Sequence, residues 1–247
     1  MDRVEPWVTI LTPVWNGWEF LPECAHSVFS QEGCGGSGSQ SWEWVIGING
    51  HGADGGPAYS ETVKFLNSVA AEIPRGCSVR ILNLPTVKGK VDALNTMVRG
   101  CAKADWVALL DCDDIWHPSK LAAQAAALAG PAAGADVIGT GCHYFGDWNR
   151  AGPQLPSGWI PSDAWQRGNP LLNSSVLLRR ELAHWEDRFG LEDYDLWIRL
   201  SLAGARMYNL PASLFLHRIH AASAFNGKGR QDAEGLRAFY LAGGSQG

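Results

Sequence analysis

Apolar and polar positions along the first half of the chain sort into strand-like and helix-like stretches. Trp7-Val8-Thr9-Ile10-Leu11 is a β-rich run expected to stop at Thr12-Pro13. Over residues 20–31, Leu21, Cys24, Ala25, Val28 and Phe29 recur at helical spacing. Residues 33–39, rich in Gly and Ser, read as a flexible loop, and 42–48 as a second strand. A helix is predicted over 63–71, a strand over 79–84 and a helix over 91–102. Trp106-Val107-Ala108-Leu109-Leu110 is continuously apolar, as expected of a central parallel strand buried on both faces. It runs straight into Asp111-Cys112-Asp113-Asp114, and an Ala-rich helix is predicted over 118–129.

This alternation implies an α/β fold with a mostly parallel central sheet flanked by helices. Ligands of such sheets bind beyond the carboxyl ends of the strands. The polar clusters 12–16, 49–54, 88–95 and 111–114 fall at those ends, which makes a nucleotide-like site the expectation. The second half differs. Residues 139–162 are rich in Gly, Pro and Trp without a clear helix, and 172–178 read as a strand. An amphipathic helix is predicted over 192–203, and one or two strands around Pro211 over 206–218. After Ala221 a polar, mobile tail is expected. Neither a linker nor a repeat divides the chain, so it reads as a single domain over 1–247, with a nucleotide-binding half (about 1–115), a second half (about 116–225) and a tail (226–247).

Composition narrows the function classes. The 247 residues are 46% hydrophobic and 18% charged, enough apolar material for a core and unlike a disordered chain. A net charge of −5 offers no global field for nucleic acid. The start, Met1 to Pro6, lacks a basic region followed by an apolar run, and no stretch approaches the ~20 apolar residues of a membrane helix. Cys24, Cys34, Cys77, Cys101, Cys112 and Cys142 lack metal-site spacing and read as free thiols, so a soluble, cytoplasmic protein is expected. On that reading the sequon Asn173-Ser174-Ser175 is a chance match. Trp supplies 12 residues; Trp148, Trp159 and Trp165 are candidate stacking faces for sugar rings, with core packing the competing role.

Three constellations carry chemistry. Asp111, Asp113 and Asp114 follow a buried strand, and such crowded carboxylates call for a cation, Mg²⁺ or Mn²⁺ being the hard-ligand choice. The competing role is a cap, with Asp114 at the start of the following helix. Glu192, Asp193 and Asp195 open a helix, where the dipole favours them, and where a general base could also be held rigidly. Lys88-Gly89-Lys90 at a helix start suits a diphosphate without being a Walker loop.

Taken together, Val8 to Asn16, Lys90 to Asn95, Leu110 to Asp114 and Glu192-Asp193-Tyr194-Asp195-Leu196-Trp197, in that order, resemble the inverting family 2 glycosyltransferases of GT-A fold, over about residues 7–223. The resemblance implies a metal-dependent transfer of a sugar from a nucleotide-diphosphate donor, UDP- or dTDP-linked by preference, to a hydroxyl of a glycan or other acceptor. It places Thr12, Pro13 and Trp15 along the nucleoside and Lys90 near the nucleotide. Asn49 stands where relatives carry the acid that holds the base. Asp111-Cys112-Asp113 becomes the donor-binding DxD stretch, with Asp111, Asp113 and His220 toward Mn²⁺ or Mg²⁺, and His217 the less favoured histidine. Asp193 takes the catalytic-base position, with Glu192 supporting it. Two other classes compete: a sugar-nucleotide or glycan-binding module without catalysis, and a haloacid-dehalogenase-like phosphohydrolase using Asp111. In the latter family the nucleophile ends the first strand of the core, whereas several strand–helix units precede Asp111 here.

Overall fold

A computed structural model describes residues 5–34, 41–101, 103–221 and 231–244. The first half is built of four strands, β1 (Val8–Val14), β2 (Trp42–Asn49), β3 (Ser78–Leu84) and β4 (Trp106–Leu109), alternating with helices α1 (Leu21–Phe29), α2 (Gly56–Ser68) and α3 (Lys90–Cys101). All pairings among the four strands are parallel, in the order β3-β2-β1-β4. Strand side chains alternate between faces. Trp42, Trp44, Ile46 and Ile48 of β2 join α1 and α2 in one core, while Val45 joins Leu94 and Met97 of α3 in another. Gly47 lets α3 approach, because a Cβ there would stand 2.3 Å from the Met97 sulfur. β1 does not stop at Thr12-Pro13: it runs to Val14, since at those positions only β2 pairs with it and Pro13 breaks no ladder toward β4.

β1 lies between β2 and β4, so the chain order reverses there. A doubly wound sheet opens a crevice at that switch point, and the ends of β1, β2 and β4 bound it here.

Beyond β4 the sheet becomes mixed. β9 (Leu177–Arg179) pairs antiparallel with β4 and with β6 (Val137–Gly146), and β6 runs parallel to the long β10 (Met207–Ile219). Three two-residue strands, β5 (Ile115–Trp116), β7 (Arg150–Ala151) and β8 (Gly158–Trp159), complete the ten-stranded sheet. The Gly-, Pro- and Trp-rich stretch thus contains a ten-residue strand that its composition hid, and of the strand expected over 172–178 only Leu177 and Leu178 join the sheet, in a strand that runs on to Arg179; Asn173–Ser175 forms a 3-10 turn. Helix α4 (Lys120–Leu128) packs on the α1–α2 side and α5 (Glu192–Leu202) on the α3 side.

The segment expected to be part of a mobile tail holds a sixth helix instead, α6 (Ala233–Leu241), capped by Asp232. Its Leu236 and Tyr240 are buried with Tyr194 and Ile198 of α5. Two apolar residues four apart suffice to dock a short helix, a signal too sparse to stand out among polar neighbours. Trp165 belongs to the same cluster and is buried, which removes it as a stacking face; Trp148 and Trp159 are exposed. Among the described residues, no helix is long and apolar enough to cross a membrane.

Candidate active site

The crevice collects residues from both halves. Asp111 emerges from β4, and both its carboxylate oxygens meet Lys90 Nζ, at 2.8 and 3.0 Å. Lys90 opens α3, a position the helix dipole disfavours for a cation, and it is held there by Asp111 and by Glu192 at 3.3 Å. Asn173 Nδ2 donates to Asp111 Oδ2 at 3.2 Å, and the Asp111 N–H donates to Ser174 Oγ at 3.1 Å. Burial works against charge on this pair, yet the mutual attraction prevails: Asp111 is held below the usual carboxylate range and Lys90 above the usual amine range.

Asp113 faces His220, with Oδ2 and Nε2 3.0 Å apart. Burial and the neighbouring Asp114 and Asp111 charges push the Asp113 carboxyl up. Asp114 is no helix cap. It is fully buried, pairs with His217 Nδ1 at 3.0 Å and accepts the Arg218 backbone N–H. The Arg218 side chain in turn donates to the Asp113 carbonyl at 2.9 Å and pairs with Glu23. Cys112 is buried with its thiol toward the Asn16 carbonyl, so this residue turns its side chain away from the cleft.

Among the described residues, no three His, Cys, Asp or Glu side chains converge as a ready-made metal cage. The Asp113–His220 pair nevertheless fits a hard divalent ion: a crowded carboxylate short of positive charge lies beside an imidazole, and Mg²⁺-type sites take one or two protein ligands plus phosphate oxygens. Asp111, engaged by Lys90 and Asn173, would have to give up one of those contacts to join it.

The second acidic group starts α5. Asp193 Oδ1 accepts its neighbour Tyr194's N–H at 2.7 Å, and Oδ2 accepts from Asn169 Nδ2 at 3.1 Å. Burial first, then the Glu192 charge, raise its pKa to about 6, against smaller lowering by Lys90 and the two N–H donors. Asp195 points the other way, fully buried against Arg199 at 2.7 Å and the Tyr240 hydroxyl at 2.6 Å.

At the ends of β1 and β2 the arrangement is more open. Trp15 is 61% exposed, with its indole over Gly50 and its carbonyl held by His51 Nε2. Gly50 sits at φ +80°, where a side chain would be strained and would press on that indole. Pro13 is half-buried, and Thr12 is fully buried, its hydroxyl accepting the Trp44 indole N–H at 2.9 Å. Thr12 therefore lies beneath the crevice surface, paired in register with Ile46 of β2. Asn49 is 2% exposed and its Oδ1 has no partner among the described residues.

Sequence reading passed over Asn169, Asn173 and Ser174. The one available signal was a polar Asn-Ser-Ser directly ahead of an apolar strand, set aside as a chance sequon.

Comparison with known proteins bears on the fold and the family. The profile of glycosyl transferase family 2 matches residues 9–181. EpsE of Bacillus subtilis (strain 168), named as a glycosyltransferase, is 26% identical over 219 residues, 85% of this chain and 72% of its own. Among solved structures, S. aureus TarS 1–349 in complex with UDP-GlcNAc superposes at TM-score 0.68 with 14% identity, over 90% of this chain. The mannosyltransferase PcManGT of Pyrobaculum calidifontis, in complex with GDP-Man and Mn²⁺, superposes at 0.60 with 17% identity, also over 90%. The chain spans 61% and 59% of those two solved chains. With its profile covering most of the sheet and the crevice at the switch point, the chain belongs to glycosyl transferase family 2.

Proposed function

We propose that this protein transfers a sugar, with inversion, from a nucleoside-diphosphate donor to a hydroxyl of a glycan or other acceptor. The observation that carries the reading is Asp193. It is a carboxylate with a pKa of about 6, fixed by two neutral N–H donors at the rim of a site whose other acids face cations or imidazoles. A base poised just below neutral pH is ionised in the resting enzyme and can take the acceptor's proton as its oxygen attacks. Direct attack from the side opposite the leaving diphosphate inverts the anomeric centre and needs no enzyme nucleophile. Lys90 supplies fixed positive charge at the donor side, and Glu192 keeps that lysine in place while raising its neighbour's pKa.

Asp113 and His220 would hold a divalent cation. When bound, such an ion neutralises charge on the leaving diphosphate as a Lewis acid. On this reading the half up to about residue 115 holds the donor, and the half over 116–225, with exposed Trp148 and Trp159, receives the acceptor. Trp15 would lie against the nucleoside. The unpartnered Asn49 Oδ1 suits the N3–H of uracil or thymine, so UDP and dTDP are expected to bind ahead of GDP. Buried thiols at Cys24, Cys112 and Cys142 accord with a cytoplasmic setting.

The test is a binding panel of UDP, dTDP and GDP, each with Mn²⁺ and with EDTA, for the wild type and Asp113→Asn. Uridine or thymidine diphosphate should bind first, and EDTA and the substitution should each weaken it sharply. Metal-independent binding would remove the cation from the proposal, and GDP ranking first would remove the pyrimidine preference. Donor binding with no transfer to any member of a broad acceptor panel would favour a binding module instead.

A further inference from the structure

Helix α4 and strand β5 contain a buried polar group that the chemistry above leaves unused. Lys120 and Gln124 are both fully buried on α4, four residues apart. Lys120 Nζ donates to Gln124 Oε1 at 2.9 Å and stands 3.9 Å from the centre of the Trp116 ring, with no carboxylate in ion-pair reach among the described residues. Gln124 Nε2 donates to two carbonyls, Ile138 at 3.0 Å and Ser175 at 2.9 Å. Trp116 Nε1 donates to the next carbonyl along, that of Ser174, at 2.7 Å. Two interior donors therefore hold consecutive carbonyls of the 173–175 turn.

The side chains of that turn do the opposite job. Asn173 donates to the Asp111 carboxylate and Ser174 Oγ accepts the Asp111 N–H. Packed against β4, β6 and β10, the turn has few other hydrogen bonds: the Ser175 hydroxyl and N–H on the Leu172 carbonyl, and one bond closing the turn from Val176 to Asn173. A core position on α4 is ordinarily apolar, and a buried glutamine is tolerated only when its polar atoms are satisfied, as they are here. An amide can face either way; an amine on its oxygen fixes its N–H₂ toward the carbonyls.

We infer that Lys120, Gln124 and Trp116 are positioning residues that set the place of Asp111 for donor binding, acting through the turn at Asn173–Ser175. The inference rests on the reading of Asp111 as a donor-site residue. Lys120 orients the Gln124 amide, Gln124 and Trp116 fix the turn, and the turn aims Asn173 at the carboxylate.

Calorimetric binding of UDP, dTDP and GDP, measured with Mn²⁺ well below the unfolding temperature, tests it. Asn173→Ala should weaken the best-bound nucleotide about 10-fold or more, the loss of a hydrogen bond to a charged group. Gln124→Leu should weaken it by a smaller factor, about 3- to 10-fold, and the double variant should be no weaker than Asn173→Ala alone, because both changes act on one contact. Trp116→Phe keeps a smaller aromatic ring while deleting the donor to Ser174, and should reproduce the Gln124→Leu loss should that variant fold poorly. Additive losses in the double variant, or lowered melting temperatures with unchanged affinity, would overturn the inference. If the wild type binds none of the three nucleotides, the donor-site reading falls and the inference with it; if Asn173→Ala alone weakens binding, only the inference falls.

Discussion

The protein has two acidic clusters at its crevice, and they are built on different terms. After β4, each carboxylate meets a cation or an imidazole: Asp111 meets Lys90, Asp113 meets His220, and Asp114 meets His217. At the start of α5, Glu192 shares Lys90 and Asp195 is paired with Arg199, but Asp193 has only the N–H groups of Asn169 and Tyr194. Neutral donors hold a carboxylate in place without removing its affinity for a proton, whereas a cation suppresses that affinity. The contrast sets Asp193, the proton acceptor of the proposed mechanism, apart from neighbouring acids that face charged groups or imidazoles. Sequence proximity has little to do with it, since Glu192, Asp193 and Asp195 stand within four residues and differ completely in surroundings.

The sharpest break of this contrast is Asp193→Asn. The amide keeps shape and can still be held, but it cannot accept the acceptor's proton, so transfer should fall about 10²–10⁴-fold while donor affinity stays near wild type. Steady-state transfer assays beside donor binding decide it; turnover within a few-fold of wild type would return the base assignment to Glu192 or Asp195.

Lys90 is the cation common to both clusters, and Lys90→Met tests the link. Nucleoside-diphosphate affinity should drop about 10- to 100-fold. Because Lys90 lowers the Asp193 pKa, the acid limb of the pH–rate profile should also move to higher pH. In the wild type, kcat/KM should lose about tenfold per pH unit below pH ~6 as Asp193 takes up a proton. A limb in the same place in both proteins would mean that the two clusters are electrically independent.

Asp195 supplies the structural counterpart. Asp195→Ala removes the buried carboxylate shared by Arg199 and the Tyr240 hydroxyl, leaving Arg199 only the more distant Glu186 at 3.8 Å, and breaking such a pair typically costs about 3–5 kcal/mol. Chemical denaturation should register that loss, and binding of nucleotide to the fraction still folded should be unchanged. A stable but inactive Asp195→Ala protein would place Asp195 in the chemistry instead.

The smallest effect is on stability at Asp193 itself. Its folded pKa lies above that of an unfolded aspartate, so its contribution favours the fold fully below pH ~4 and is lost as pH rises through 6. Above that pH the partly buried charge costs up to about 3 kcal/mol. Asp193→Asn removes the charge, and should melt a few degrees higher than wild type at pH 8, with the gain vanishing near pH 4. Equal melting temperatures at pH 8 would mean that the carboxylate is better solvated than its surroundings imply.

Local pattern carried the scaffold. The β-rich run of β1, the helical spacing of α1 and the apolar run of β4 emptying into three aspartates depend on neighbours a few residues apart, and those are written in the chain itself. Less was legible in the second half, where β6 lies in a Gly- and Trp-rich stretch and α6 is anchored by two side chains in a polar setting. The acids of the site were equally legible, as a strand end and a helix start crowded with carboxylates. Which of them would be neutralised was not. Lys90 reaches Asp111 across 21 residues, Asn169 reaches Asp193 across 24, Asn173 reaches Asp111 across 62 and His220 reaches Asp113 across 107. Those partners are set by the antiparallel insertion of β9 beside β4 and by the docking of α5 and β10 around the crevice. A carboxylate's proton affinity depends on charges and donors within a few ångströms, and that neighbourhood exists only once the sheet has closed.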